Sequence, residues 1–227
     1  MRTPELSDNA SSTASLPARV YDELRRRIIS GHFPPGTRLR ERELAEEFAV
    51  SRIPLREALP QLEANGFIRT LPRRGAVVTQ LTLRDVEELF EVRLGLEVRA
   101  AKKAAERVGQ GCSPEPVRLV MERAERAMAD GDADEIAVTT AELHQAVVDL
   151  SDNALVSTMM RSILGRMQWI FRLTAERDPL VACEEHHGLL DAISDANPDL
   201  AAAIAYAHIE RGRAPSLATL SQVLPAN

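Results

Sequence analysis

Five histidines occur in the chain, and three can be placed by helical register as inward-facing. His144 lines up with Ala137, Ala141 and Val148. His186 shares a stripe with Cys183, Leu190 and Ile193, and His208 continues Leu200 and Ile204 at four-residue steps. His187 shares its stripe with Glu184, Asp191 and Ser194 and is expected to face water. Residues three or four apart lie on one helix face, so these stripes define which imidazoles can meet. Neutral imidazoles on facing bundle helices are good ligands for zinc or nickel. The bland reading is three satisfied core histidines lining a polar pocket. A second polar intrusion is Arg93, four residues before Glu97 on a stripe with Val86, Leu89, Phe90, Ala100 and Ala104. A buried arginine needs an anion. Glu97 can supply it, or Arg93 can hold the carboxylate of a small organic acid bidentately.

A different chemistry is written between residues 42 and 75. Arg52 and Arg56 sit four apart, on the face opposite Leu55, Leu59 and Leu62. Arginine is the side chain best shaped to take guanine O6 and N7 together. Arg42 can reach a nearby phosphate or base, and Ser51 offers a hydroxyl and a helix N-terminus to a phosphate. Arg73 and Arg74, followed by Gly75, suit a hairpin tip that approaches a groove.

These residues need elements to carry them. The 227 residues are 44% hydrophobic and 27% charged, so the chain can bury a core and is not wholly disordered. Aromatics are only 4%, which argues for helices over strands. No apolar run approaches the roughly 18 residues that span a bilayer, and no signal-peptide segment is visible. Cys112 and Cys183 form no CxxC pair, so a reduced, cytoplasmic protein is expected. Residues 17–79 hold 12 basic against 8 acidic side chains, and residues 80–227 hold 15 against 24. A basic third on an acidic body fits a polyanion-binding module joined to something else.

Residues 1–16 read as a flexible tail. Residues 17–79 read as a winged helix-turn-helix. A first helix carries Val20, Leu24 and Ile28, and a short second helix begins near Glu41 and buries Leu44, Ala45 and Phe48. A third is capped by Ser51 and stopped at Asn65-Gly66. A hairpin follows, with strands over 67–71 and 76–79. Pro60 inside the third helix predicts a kink downstream of the reading arginines. Residues 80–227 read as an antiparallel six-helix bundle, with helices near 82–108, 114–130, 133–151, 154–176, 179–196 and 198–213. The fold class is therefore mainly α, with a small β wing.

The stretches Gly31-His32-Phe33-Pro34-Pro35-Gly36-Thr37-Arg38-Leu39, Glu41-Arg42-Glu43-Leu44-Ala45, Val50 to Leu59 and Leu62 to Ile68 resemble the N-terminal domain of GntR-family transcription regulators. The resemblance implies a homodimer on a pseudo-palindromic operator in double-stranded DNA. It places Arg42, Ser51, Arg52, Arg56, Arg74 and Gly75 where family members touch DNA. Ile53 stands where members usually carry threonine. The motifs Leu89 to Glu97, Leu143-His144-Gln145-Ala146-Val147, Asn153, Glu185-His186 and Ala207-His208 resemble the effector-binding and dimerisation (FCD) domain of the FadR subfamily, in its shorter VanR-like branch. That resemblance implies a ligand-responsive repressor with a divalent metal, zinc or nickel, on His144, His186 and His208. The aspartate that joins the histidines in metal-binding relatives is Thr140 here, which keeps the face and loses the anionic oxygen. Thr140 and Arg93 are the expected effector contacts. Two other readings remain at this level. One is a metal-free regulator with another effector, such as an acyl thioester. The other is a three-histidine metalloenzyme with an accessory DNA-binding domain.

Overall fold

The computed structural model describes residues 14–73, 75–174 and 179–226. The expected tail falls almost wholly outside them, as does Arg74. Contacts divide the chain into two units, residues 1–80 and 81–227.

In the first unit α1 (Leu16–Ile29) starts at Ser15, whose hydroxyl accepts from the Ala18 amide. It buries Val20, Leu24 and Ile28 and packs on α3 (Arg52–Ala64). Between them lies α2 (Glu41–Glu47), which buries Leu44 and leads to the sealed Phe48. Ala45 is only half-buried. Arg27 is a buried cation that ties α1 to α2. Its guanidinium donates to Glu23 at 2.6 Å and to Glu47, and lies 4.6 Å from the centre of the Phe48 ring. A buried charge satisfied on two sides fixes a geometry. On α3, Leu55 and Leu62 are sealed, and Leu59 is half-buried. Pro54 sits in the first turn, where a missing N–H costs little. The helix runs on through Pro60 to Ala64.

The wing is larger than the sequence pattern predicts. Strands β2 (Ile68–Leu71) and β3 (Gly75–Val78) form the hairpin, and β1 (Arg38–Leu39) adds a third antiparallel strand in the order β1-β3-β2. Arg38 pairs with Val77 and Leu39 with Ala76. A two-residue strand carries too little periodicity to be read in advance.

Among the described residues the second unit holds six helices: α4 (Leu83–Gly109), α5 (Glu115–Asp130), α6 (Ala133–Leu150), α7 (Ala154–Leu173), α8 (Pro179–Ser194) and α9 (Pro198–Leu220). Thr82 and Asp85 form a reciprocal capping box at the start of α4. Asp132, Asn153 and Asn197 accept from first-turn amides of α6, α7 and α9. Gly131 ends α5 at φ 69°, a conformation that strains other residues. The core mixes small and large side chains, with Met121, Leu143, Leu189 and Ile193 beside five alanines of α4 and α9. Ala101, Ala104 and Ala105 of α4 meet Ala201 and Ala205 of α9, and the two helices pack along one another.

Two expectations about α9 are corrected. The helix continues to Leu220 rather than stopping at 213, because Ser216 and Leu220 bury beyond Pro215. Its inward stripe runs through Ala201, Ala205, His208, Gly212 and Ser216, and Leu200 is 47% exposed. His208 faces inward all the same. Packing against α4 favours the small residues, which turns the larger Leu200 outward. Among the described residues no helix is long and apolar enough to cross a membrane.

Candidate metal centre and nucleic-acid interface

The N-terminal half of α3 presents an exposed face. Arg52 and Arg56 are exposed, and Ile53 between them is 67% exposed. Ser51 occupies the N-cap position with extended backbone, and its hydroxyl makes no capping bond. Arg42, Ser51 and Arg52 line one shallow hollow between α2 and α3, so three of the residues singled out for phosphate or base contact are brought together. Arg42 is exposed and approaches Glu46 at 3.9 Å. Arg56 stands beside them, its Nε donating to Glu41 Oε2 at 2.8 Å. At the wing tip Arg73 is exposed with φ 63°, and Gly75 follows at φ 72°. The left-handed backbone turns the tip sharply and leaves Arg73 pointing away from the sheet core.

In the second unit the three expected histidines converge. His144 comes from α6, His186 from α8 and His208 from α9, and their exposures are 3%, 6% and 7%. Each offers a ligand atom, and those atoms lie within 4.8 Å of one another. They line a cavity of about 110 Å³ together with Arg93, Thr140, Phe171 and Cys183. Both expected effector contacts therefore border the space that the histidines enclose.

Two carboxylates orient the rings. Glu97 Oε2 accepts from His144 Nδ1 at 2.7 Å, and Glu185 Oε2 accepts from His208 Nδ1 at 2.8 Å. Holding Nδ1–H leaves Nε2 as the lone-pair atom, the usual arrangement behind a metal-ligating imidazole. His208 Nε2 then faces His186 Nε2 at 3.2 Å. Zinc–nitrogen bonds of about 2.0–2.1 Å set tetrahedral ligand nitrogens about 3.3–3.4 Å apart, so this spacing suits a shared cation. Burial draws His144 down to about 4, against the opposing pull of Glu97, so the ring is neutral near pH 7. Burial pushes the Glu97 carboxyl up, but Arg93 and His144 together, through charge and hydrogen bonds, outweigh it and hold Glu97 below the usual carboxylate range. The three imidazoles fit a soft or borderline divalent cation.

Arg93 serves two neighbours at once. Its Nε donates to Glu97 Oε1 at 2.7 Å, and Nη2 lies 3.2 Å from His144 Nε2. Its guanidinium carbon lies 5.2 Å from the Phe171 ring centre and 5.5 Å from that of Phe90. A cation between aromatic faces and beside a cavity is placed to meet an anion there.

The orienting role of Glu185 is not visible in the sequence. It adjoins His186 but serves His208, 23 residues away on another helix, and Arg211 also reaches it at 3.2 Å. Helical periodicity links residues within one helix only. Glu97 lay closer to hand, through its four-residue spacing from Arg93. His187 is exposed, as its polar stripe predicts, and pairs with Glu125 of α5, which the stripe does not predict.

Residues 16–78 match the family of bacterial regulatory proteins named gntR, and residues 88–211 match the FCD domain. The gluconate operon transcriptional repressor of Bacillus licheniformis is 34% identical over 183 residues, covering 79% of this chain and 73% of the relative. The Nta operon transcriptional regulator of Aminobacter aminovorans is 31% identical over 183 residues, covering 81% and 86%. Among solved structures, Escherichia coli McbR/YncC superposes with a TM-score of 0.75 at 22% identity, covering 92% of this chain and 99% of that one. At that identity the likeness is one of fold.

Proposed function

The chain belongs to the GntR family of bacterial regulatory proteins and carries an FCD domain, and from that premise we propose that it is a repressor released from its operator by a small organic acid. Membership makes it a DNA-binding transcription regulator and not an enzyme. Repression is supported by relatives named as operon repressors. In this reading Arg52 and Arg56 read base edges from α3 in the major groove. Arg42 and Ser51 hold phosphates, and Arg73, Arg74 and Gly75 approach from the wing. The operator is a pseudo-palindrome bound by a homodimer.

His144, His186 and His208 hold a divalent metal, zinc or nickel. Bound there, the metal supplies a Lewis-acidic position for a carboxylate or hydroxyl of the effector. Arg93 takes a carboxylate of the same acid, and Thr140 offers a neutral hydroxyl where a stronger site would have an acid. The observation that carries this reading is the convergence of three buried imidazoles, two of them tethered through Nδ1, beside a buried arginine. Regulation requires that the acid bind one arrangement of the DNA-reading domains better than the other. One observation favours a metal-free version of the same regulator. Arg93 Nη2 already lies 3.2 Å from His144 Nε2, the lone pair that a metal would use.

The test is a titration of chemically varied small acids into the metal-loaded protein–operator complex. An acid that binds the bundle and lowers operator affinity supports the reading. If acids bind the bundle and none changes operator affinity, the switch is wrong.

A further inference from the structure

A second set of metal-capable side chains lies outside the three-histidine cavity. Cys183 and His187 are one turn apart on α8, and Glu125 reaches across from α5. Their Sγ, imidazole nitrogen and carboxylate oxygen lie within 4.8 Å of one another. His187 Nε2 is 2.6 Å from Glu125 Oε1. Cys183 and Glu125 are half-buried and His187 is exposed, so the trio opens to solvent.

A histidine–carboxylate pair on a surface needs no thiol. Here a thiol occupies the i−4 position on the same helix face, the spacing that brings two side chains to one point. Sulfur, nitrogen and oxygen donors together suit zinc, cobalt or cadmium, whereas magnesium and calcium prefer oxygen alone. Three protein ligands leave a fourth tetrahedral position for water.

We propose that Glu125, Cys183 and His187 form a second, solvent-facing site for a thiophilic divalent cation across the α5–α8 seam. On coordination Cys183 gives its proton to solvent and binds as thiolate. The site shares no ligand with His144, His186 and His208. It does share a wall with their cavity, since Ala124 and Met128 of α5 and Ala182 and Cys183 of α8 line that cavity. A cation at the seam fastens the two helices and fixes that wall, giving the protein a metal input separate from its inner pocket.

Cobalt distinguishes the two sites, because only a thiolate ligand produces a near-ultraviolet sulfur-to-cobalt charge-transfer band. The full-length protein is stripped with chelator, reduced, and titrated with Co(II) without oxygen. The band is expected in the parent and lost in Cys183→Ser. It is also expected to be lost, at equal Co(II), in His187→Ala, which alters an exposed side chain and leaves the core intact. It is expected to survive in Cys112→Ser and in His186→Ala, so failure of the three-histidine reading does not affect the result. No band in the parent, a band that survives His187→Ala, or a band that depends on Cys112 overturns the proposal.

Discussion

Glu97 and His144 are joined at 2.7 Å between Oε2 and Nδ1, and both side chains are at least 95% shielded from solvent. The carboxylate also holds Arg93 at 2.7 Å, so one anion sets both the imidazole tautomer and the position of the buried guanidinium. Replacing it with an amide of the same shape perturbs both tasks, and two measurements read them separately. Glu97→Gln is expected to weaken metal binding by about 10–100-fold, the usual effect of losing a partner behind a ligating histidine. It also strips Arg93 of its counter-ion, and breaking a buried pair costs about 3–5 kcal/mol. Chelator competition and denaturant unfolding measure the two effects. Unchanged metal affinity would remove Glu97 from the site.

Thr140 faces the same cavity from one turn before His144. Thr140→Asp is expected to raise metal affinity, and to raise it more for manganese than for zinc, because a carboxylate favours harder cations. Competition titrations with both metals check this. An equal gain for both, or none, would mean that position 140 does not point its oxygen at the ion.

Arg56→Ala is expected to lower affinity for the operator by about 1–3 kcal/mol and to leave binding to random DNA nearly unchanged. Arg56 is held at 2.8 Å by Glu41, so base contact exchanges one partner for another. Anisotropy titrations on both DNAs decide. An equal loss on both would make Arg56 a phosphate contact.

Arg73→Ala at the wing tip is expected to weaken both DNAs alike and to reduce the slope of log affinity against log salt by about one. A loss confined to the operator would turn the wing into a base reader.

Much of this was legible in the sequence, for reasons specific to particular residues. The inward faces of His144 and His186 follow from a 3.6-residue period, although α6 buries Thr139, Leu143 and Gln145 outside the stripe that places His144. Of the two neighbours that place His208 inward, Ile204 does pack on the core, whereas Leu200 turns out and the small residues Ala201 and Ala205 turn in. Size of side chain at the α4–α9 contact decided that register, and hydropathy does not encode it. The end of α9 was missed because Pro215 reads as a stop, whereas burial of Ser216 and Leu220 carries the helix past it. The Glu185–His208 contact joins two helices, and no local pattern reports such a pair. On α3, charge and register placed Arg52 and Arg56 on an exposed face, which is where they lie.

The central claim is that His144, His186 and His208 act as one metal site. Elemental analysis of untagged protein purified without chelator, beside His186→Ala, tests it most directly. The His187→Ala background removes the exposed ligand of the α5–α8 seam without touching the cavity wall. The account predicts about one zinc or nickel per chain in that background, and little once His186 is also replaced. No metal in either protein, even after zinc is added and the excess removed, would contradict it. The histidines would then be polar lining for an acid held by Arg93 alone.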